Sequence, residues 1–209
     1  MITLFFTVFA ALFSVANPLG TMPMFLAFTE SHNREQRNKV ALRASLYMFL
    51  ILTVSFFAGK FIMLFFGISI ESLRVAGGLI IASSGFALLT GNFVKHKGMN
   101  ESVKNDAMLR EDVSLTPLAV PMLAGPGSIS LLISLNENYS NWFEIVVIFL
   151  TVPAVGLATF LILRSSHFLV RKLGASGLNA ISRIIGFIVI AIGVEYIIAS
   201  IRELVNQLF

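Results

Sequence analysis

Residues 2–29 read ITLFFTVFAALFSVANPLGTMPMFLAFT and contain no charged side chain. A helix needs about 20 apolar residues to cross the hydrocarbon layer, so this stretch spans a membrane with residues to spare. It is too long for the apolar segment of a signal peptide, and no basic residue precedes it. Its basic flank follows instead, at Arg34, Arg37 and Lys39, as expected of a helix whose N-terminus is exported.

Five further apolar runs follow, near 44–65, 72–93, 114–135, 145–163 and 184–201. Strict alternation of apolar and polar residues is missing, so these read as helices and not as barrel strands. The whole chain fits that reading. Of its 209 residues, 56% are hydrophobic and 12% charged, against about 25% charged in soluble domains. Such a chain cannot wet its own surface, which excludes a cytosolic enzyme and a nucleic-acid-binding domain despite the net charge of +4. Cysteine is absent, which removes disulfides and thiolate chemistry.

The basic residues give an orientation. Twelve of the fifteen Lys and Arg fall in the loops after the first, third and fifth runs. Lys60, Arg74 and Arg202 fall on the other side. By the positive-inside rule both termini are expected outside the cytoplasm.

The prolines divide the chain into halves. Pro18 and Pro23 lie in the first helix, and Pro117, Pro121 and Pro126 in the fourth. Pro18 aligns with Pro126 at an offset of 108, and Arg74-Val75-Ala76-Gly77 with Arg183-Ile184-Ile185-Gly186 at 109. Another register, Pro18/Pro23 on Pro121/Pro126, gives 103 and fits the arginines less well. Three helices per half is an odd number, so duplicated halves must be inverted. The expected fold is therefore an all-α membrane protein with six transmembrane helices in two inverted three-helix repeats, the first and fourth helices broken. Its parts are residues 1–93, a charged cytoplasmic connector 94–113, and residues 114–209.

Proline removes a backbone donor and glycine loosens the backbone, so both sites interrupt a helix. In hydrocarbon such a break is tolerated only where it is buried or lines a cavity. It exposes N–H groups that attract an anion and carbonyls that attract a cation, which suits a zwitterion. The candidate substrate-binding residues are Asn17, Pro18, Gly20 and Thr21 from the first break. Gly125, Pro126, Gly127, Ser128 and Ser130 come from the second. The bland alternative is a pair of structural kinks with small residues for packing.

Glu195 is the one acid deep in an expected span, which makes it a candidate coupling residue; pairing with Arg202 is the alternative. Arg74, Arg183 and Lys60 read as interfacial anchors. Small residues around Gly77, Gly78 and Gly85 read as a helix-packing face. Nothing in the sequence asks for a metal or cofactor, and the pattern is not that of an enzyme. His32, His96 and His167 fall in or beside loops, Ser128 lacks a membrane histidine base, and no phosphate-binding loop occurs.

Asn17-Pro18-Leu19-Gly20 with Pro23, Arg74-Val75-Ala76-Gly77-Gly78 and Arg183-Ile184-Ile185-Gly186 carry a resemblance, as do Pro117 to Pro121 and Ala124-Gly125-Pro126-Gly127-Ser128-Ile129. Along its whole length the chain resembles the MarC family of bacterial inner-membrane proteins, which includes SnatA-type transporters. The resemblance implies a secondary transporter of small neutral amino acids such as alanine, glycine, serine or threonine, with proton coupling in some members. Its partners would then be that substrate, protons and membrane lipid. Glu195 departs from the neutral polar residue that the resemblance leads one to expect. A passive channel, an exporter of another small neutral solute and a non-transporting scaffold remain the alternatives.

Overall fold

The computed structural model describes residues 1–98, 101–108, 110 and 112–208. Residues 99, 100, 109 and 111 of the expected 94–113 connector, and Phe209, lie outside the described residues. The described chain is helical, without strands. In order it forms α1 (Ile2–Ala16), α2 (Pro18–Phe28), α3 (Arg34–Phe66), α4 (Ile70–Leu89), α5 (Phe93–His96) and α6 (Glu101–Met108). An irregular stretch Ser114–Leu123 follows, then α7 (Pro126–Asn138), α8 (Trp142–Arg164) and α9 (Ser166–Leu208).

Local chemistry sets the ends. Asn33 and Gln36 form a reciprocal capping box at the start of α3, and Gly67 closes that helix at φ 63°. Ser69 caps α4 and Asn141 caps α8 through their side chains. Five helical segments are long and apolar enough to cross a membrane, and a sixth arises if Ser114–Leu123 and Pro126–Asn138 count as one span bent by 61°.

Three expectations change. The first half of the fourth run is not an α-helix. Thr116 and Val120 each precede a proline and are extended at φ −126° and −123°, because proline excludes the helical region for the residue before it. The last helix does not begin near 184. It runs from Ser176 to Asn206 as one span, beyond a kink at Gly174 with φ 68°, so Arg183 lies inside it and not at its start. Lys60 is more than an anchor at the lipid boundary, since its ammonium stands 3.6 Å from Glu137 on α7.

Helices α4 and α9 pack with their backbones in close approach. A methyl on Gly78 would meet the Gly193 carbonyl at 2.6 Å, and one on Gly193 would meet the Gly78 carbonyl at 2.6 Å. Two turns away Gly85 and Gly186 repeat the arrangement at 2.7 and 2.8 Å. Without a hydrophobic drive between helices in lipid, such small-residue contacts are what dispersion can use. The rest of the bundle closes around Leu12, Phe25, Met48, Leu52, Phe56 and Leu132, all fully buried. Outside, Phe61, Phe65, Phe66, Ile184 and Phe187 are among the many exposed apolar side chains, as a lipid-facing surface requires.

Candidate functional site

Both expected breaks are present. At the first, Asn17 adopts the left-handed conformation (φ 46°, ψ 65°) between α1 and α2. Its carbonyl accepts from the Thr21 amide at 3.2 Å, and its Oδ1 accepts from the Gly20 amide at 3.1 Å. The Thr21 hydroxyl donates to the Asn17 carbonyl at 3.2 Å. Asn17 is 1% exposed, and its Nδ2 is buried without a hydrogen-bond partner among the described residues. Such an orphaned donor costs about 1–3 kcal/mol, so Nδ2 is a side-chain donor of this break with unspent bonding capacity. A methyl on Gly20 would sit 2.3 Å from Nδ2, so a larger residue there would displace the Asn17 side chain that accepts from the residue 20 amide.

At the second break Gly125 caps α7 with Pro126 at the first helical position, and no side chain closes the end. The first amides of a helix have no acceptor within it, so Gly127 and Ser128 present N–H groups. The Ser128 hydroxyl turns back to the Leu123 carbonyl at 3.3 Å, and that of Ser130 donates to the Leu73 carbonyl of α4 at 3.1 Å. Both hydroxyls are thus engaged with backbone.

The breaks adjoin. A methyl on Gly127 would stand 3.3 Å from Val15 and 3.1 Å from Ile81. Gly20 and Pro23 border a cavity of about 250 Å³, whose other walls include Phe93, Asn179, Ser182 and Arg183. Pro126 and Ser130 face a different crevice, against Leu73 and Gly77 of α4. The nine expected substrate-binding residues therefore gather around two adjoining breaks, but of these only Gly20 borders that cavity. Glu195 stands on the exposed face of α9 and forms no ion pair among the described residues. Arg202 does not pair with it. The acid of that region that finds a partner is Glu203, which pairs with buried Arg74, itself 3.1 Å from the Ser134 hydroxyl.

Sequence reasoning missed Lys97. The short helix α5 tucks Phe93 into the core, and Lys97, one turn later, follows it inward. Its ammonium lies 5.5 Å from the centre of the Phe93 ring and 2.7 Å from where a Gly125 methyl would be. The residue as a whole is half-buried, yet its ammonium end is withdrawn from water, and that burial lowers its pKa to about 8. Burial first and Lys97 second also lower the pKa of His96, whose Nε2 stands 3.1 Å from the Ser84 hydroxyl. No carboxylate pairs with Lys97 among the described residues. An ammonium beside an uncapped helix N-terminus concentrates positive potential at the Gly125 break. The signal was the Phe93–Lys97 spacing, an apolar residue and a cation one turn apart after Gly91. Asn179 and Ser182 gave no signal, because polar residues near a loop are unremarkable.

The family model described as MarC family integral membrane protein matches residues 2–205. The UPF0056 membrane protein YhcE of Escherichia coli K12 is 34% identical over 198 residues, covering 95% of this chain and 92% of that protein. The UPF0056 inner membrane protein MarC of Citrobacter koseri is 36% identical over 204 residues, covering 93% and 92%. No solved structure matches. The chain belongs to the MarC family of integral membrane proteins.

Proposed function

We propose that this MarC-family chain is a secondary transporter, not a catalyst, and that it carries small neutral amino acids of the alanine, glycine, serine and threonine type across the inner membrane. The observation that carries the reading is the juxtaposition of two broken helices, Asn17–Pro18 and Gly125–Pro126, with a small cavity beside the first. At about 250 Å³ the cavity falls below the range of about 300–1,000 Å³ that drug-sized ligands occupy, which favours a small solute. In this proposal the substrate carboxylate meets the free amides of Gly127 and Ser128, with Lys97 adding charge. The ammonium meets carbonyls of the unwound stretch before Gly125. Asn17 Nδ2 supplies a further donor.

The proposal includes two inverted three-helix halves, six spans and both termini outside. Each break leans on the third helix of the opposite half: Ser130 on Gly77 of α4, and Gly20 near Arg183 of α9. Such crossing supports a two-fold relation of the kind secondary transporters use for alternating access. The test is uptake of labelled alanine, glycine, serine and threonine into proteoliposomes, with and without a pH gradient and with leucine as an oversized control. Saturable uptake of the small substrates alone is expected, and its dependence on the gradient reads the proton coupling. Uptake no greater than in empty liposomes for all of them would overturn the proposal.

A further inference from the structure

Two hollows share the seam between α3 and α8. The first is a cleft of about 480 Å³ walled by Arg34 and Arg37 of α3, Arg164 of α8 and Arg171 of α9. His167 and Phe168 complete it, and none of its lining residues is acidic. The Arg37 Nη2 donates to the His32 carbonyl at 3.1 Å, while its Nε is buried without a partner among the described residues. Four guanidinium groups around one hollow repel each other until an anion joins them. Arginines that only mark the cytoplasmic boundary have no reason to line a common cavity.

The second hollow, about 280 Å³, begins one turn further along both helices. Leu42, Leu46 and Phe49 line it from α3, and Leu157 and Phe160 from α8. On α3 the sequence steps from Arg37 up to Leu42, and on α8 from Arg164 back to Phe160, so the two hollows are consecutive parts of one groove. From Arg34 to Phe49 the groove runs roughly 22 Å along the α3 axis. One end offers planar, bidentate anion donors and the other an apolar trough. That is the outline of an amphiphile with an anionic head and a hydrocarbon chain. The basic end lies on the side that the positive-inside rule places in the cytoplasm, where clefts of this kind take anionic headgroups.

We infer that the α3–α8 groove is a binding site for one anionic phospholipid, its phosphate held by Arg34, Arg37, Arg164 and Arg171 and one acyl chain laid against Leu42, Leu46 and Phe160. The site is separate from the two helix breaks, so its test does not depend on any substrate. The purified, delipidated full chain in detergent is titrated with phosphatidylglycerol, with phosphatidylcholine of the same chains, or with inorganic phosphate, and its melting temperature is followed. Phosphatidylglycerol is expected to give a saturable rise of about 3–8 °C, and the other two little. Arg37→Gln with Arg171→Gln should abolish that rise, and Leu46→Trp, which fills the groove, should reduce it. Native mass spectrometry should show one retained phosphatidylglycerol on the wild type and none on the double variant. Arg171→Gln alone, at an exposed position, serves if the double variant fails to fold, and should at least halve retention. Equal rises with phosphatidylcholine, an equal rise with inorganic phosphate, or undiminished retention in the variants would each overturn the inference.

Discussion

Gly77→Ala tests the packing role of Ser130. A methyl at residue 77 would stand 2.0 Å from the Ser130 Oγ and 2.7 Å from its Cβ. Turning the hydroxyl away would break its 3.1 Å bond to the Leu73 carbonyl and still leave the Cβ overlap. Helices α4 and α7 would have to part by about 0.7 Å to reach ordinary contact. Overpacking of that kind costs about 1–3 kcal/mol and the lost bond about 1, offset by up to about 1 from alanine's better helix propensity. The net loss should be about 1–3 kcal/mol. Ser130→Gly removes the obstruction, leaving only the residue 130 Cα, at 4.0 Å. In that background Gly77→Ala should therefore leave stability unchanged or raise it. The assay is unfolding of the four proteins in the same detergent, followed by circular dichroism. If the two effects add within about 0.5 kcal/mol, the residues are not coupled and the packing argument fails.

Three further outcomes follow from the geometry. Between about pH 8 and 10.5 the folded chain binds fewer protons at Lys97 than the unfolded chain, so wild-type stability should rise with pH across that window. Lys97→Met should be more stable than wild type at pH 7, by about 1–2 kcal/mol after allowance for partial exposure, and the gap should close toward pH 10.5; a gap constant with pH would contradict the buried ammonium. Glu203→Gln leaves the buried Arg74 guanidinium without its acid and should cost about 1–2 kcal/mol, less than a fully buried pair because Glu203 is 46% exposed; denaturant titration in micelles checks it. Glu195→Gln should leave amino acid uptake and its pH dependence unaltered, given the outward position of Glu195 on α9, and a lost gradient response would show that the position matters to coupling.

The breaks were legible because proline and glycine act locally: Pro18 and Pro126 begin helices wherever the chain goes. Which face of each helix turns inward was not legible. Both the core and the lipid are apolar, so the usual amphipathic stripe that orients a helix is missing. Glu195 shows the result, since its depth in the sequence said nothing of its direction. The partners of the hydroxyls were not legible for a related reason. Ser128 and Ser130 look like ligand groups in a row of letters, but their hydroxyls donate to backbone, Ser128 to the Leu123 carbonyl before the break and Ser130 to the Leu73 carbonyl of the neighbouring α4. Lys97 reaches the second break from a loop 28 residues away in sequence, a contact that only tertiary packing creates.

Alternating access is the central claim, and counterflow tests it most directly. Proteoliposomes loaded with unlabelled alanine and diluted into trace labelled alanine should accumulate label transiently above equilibrium. The overshoot should vanish in Gly127→Leu, whose side chain would intrude between Val15 and Ile81 where the breaks adjoin, provided the variant elutes as a folded species. Equilibration without overshoot would indicate a channel, and no flux at all in the wild type would contradict the transporter account.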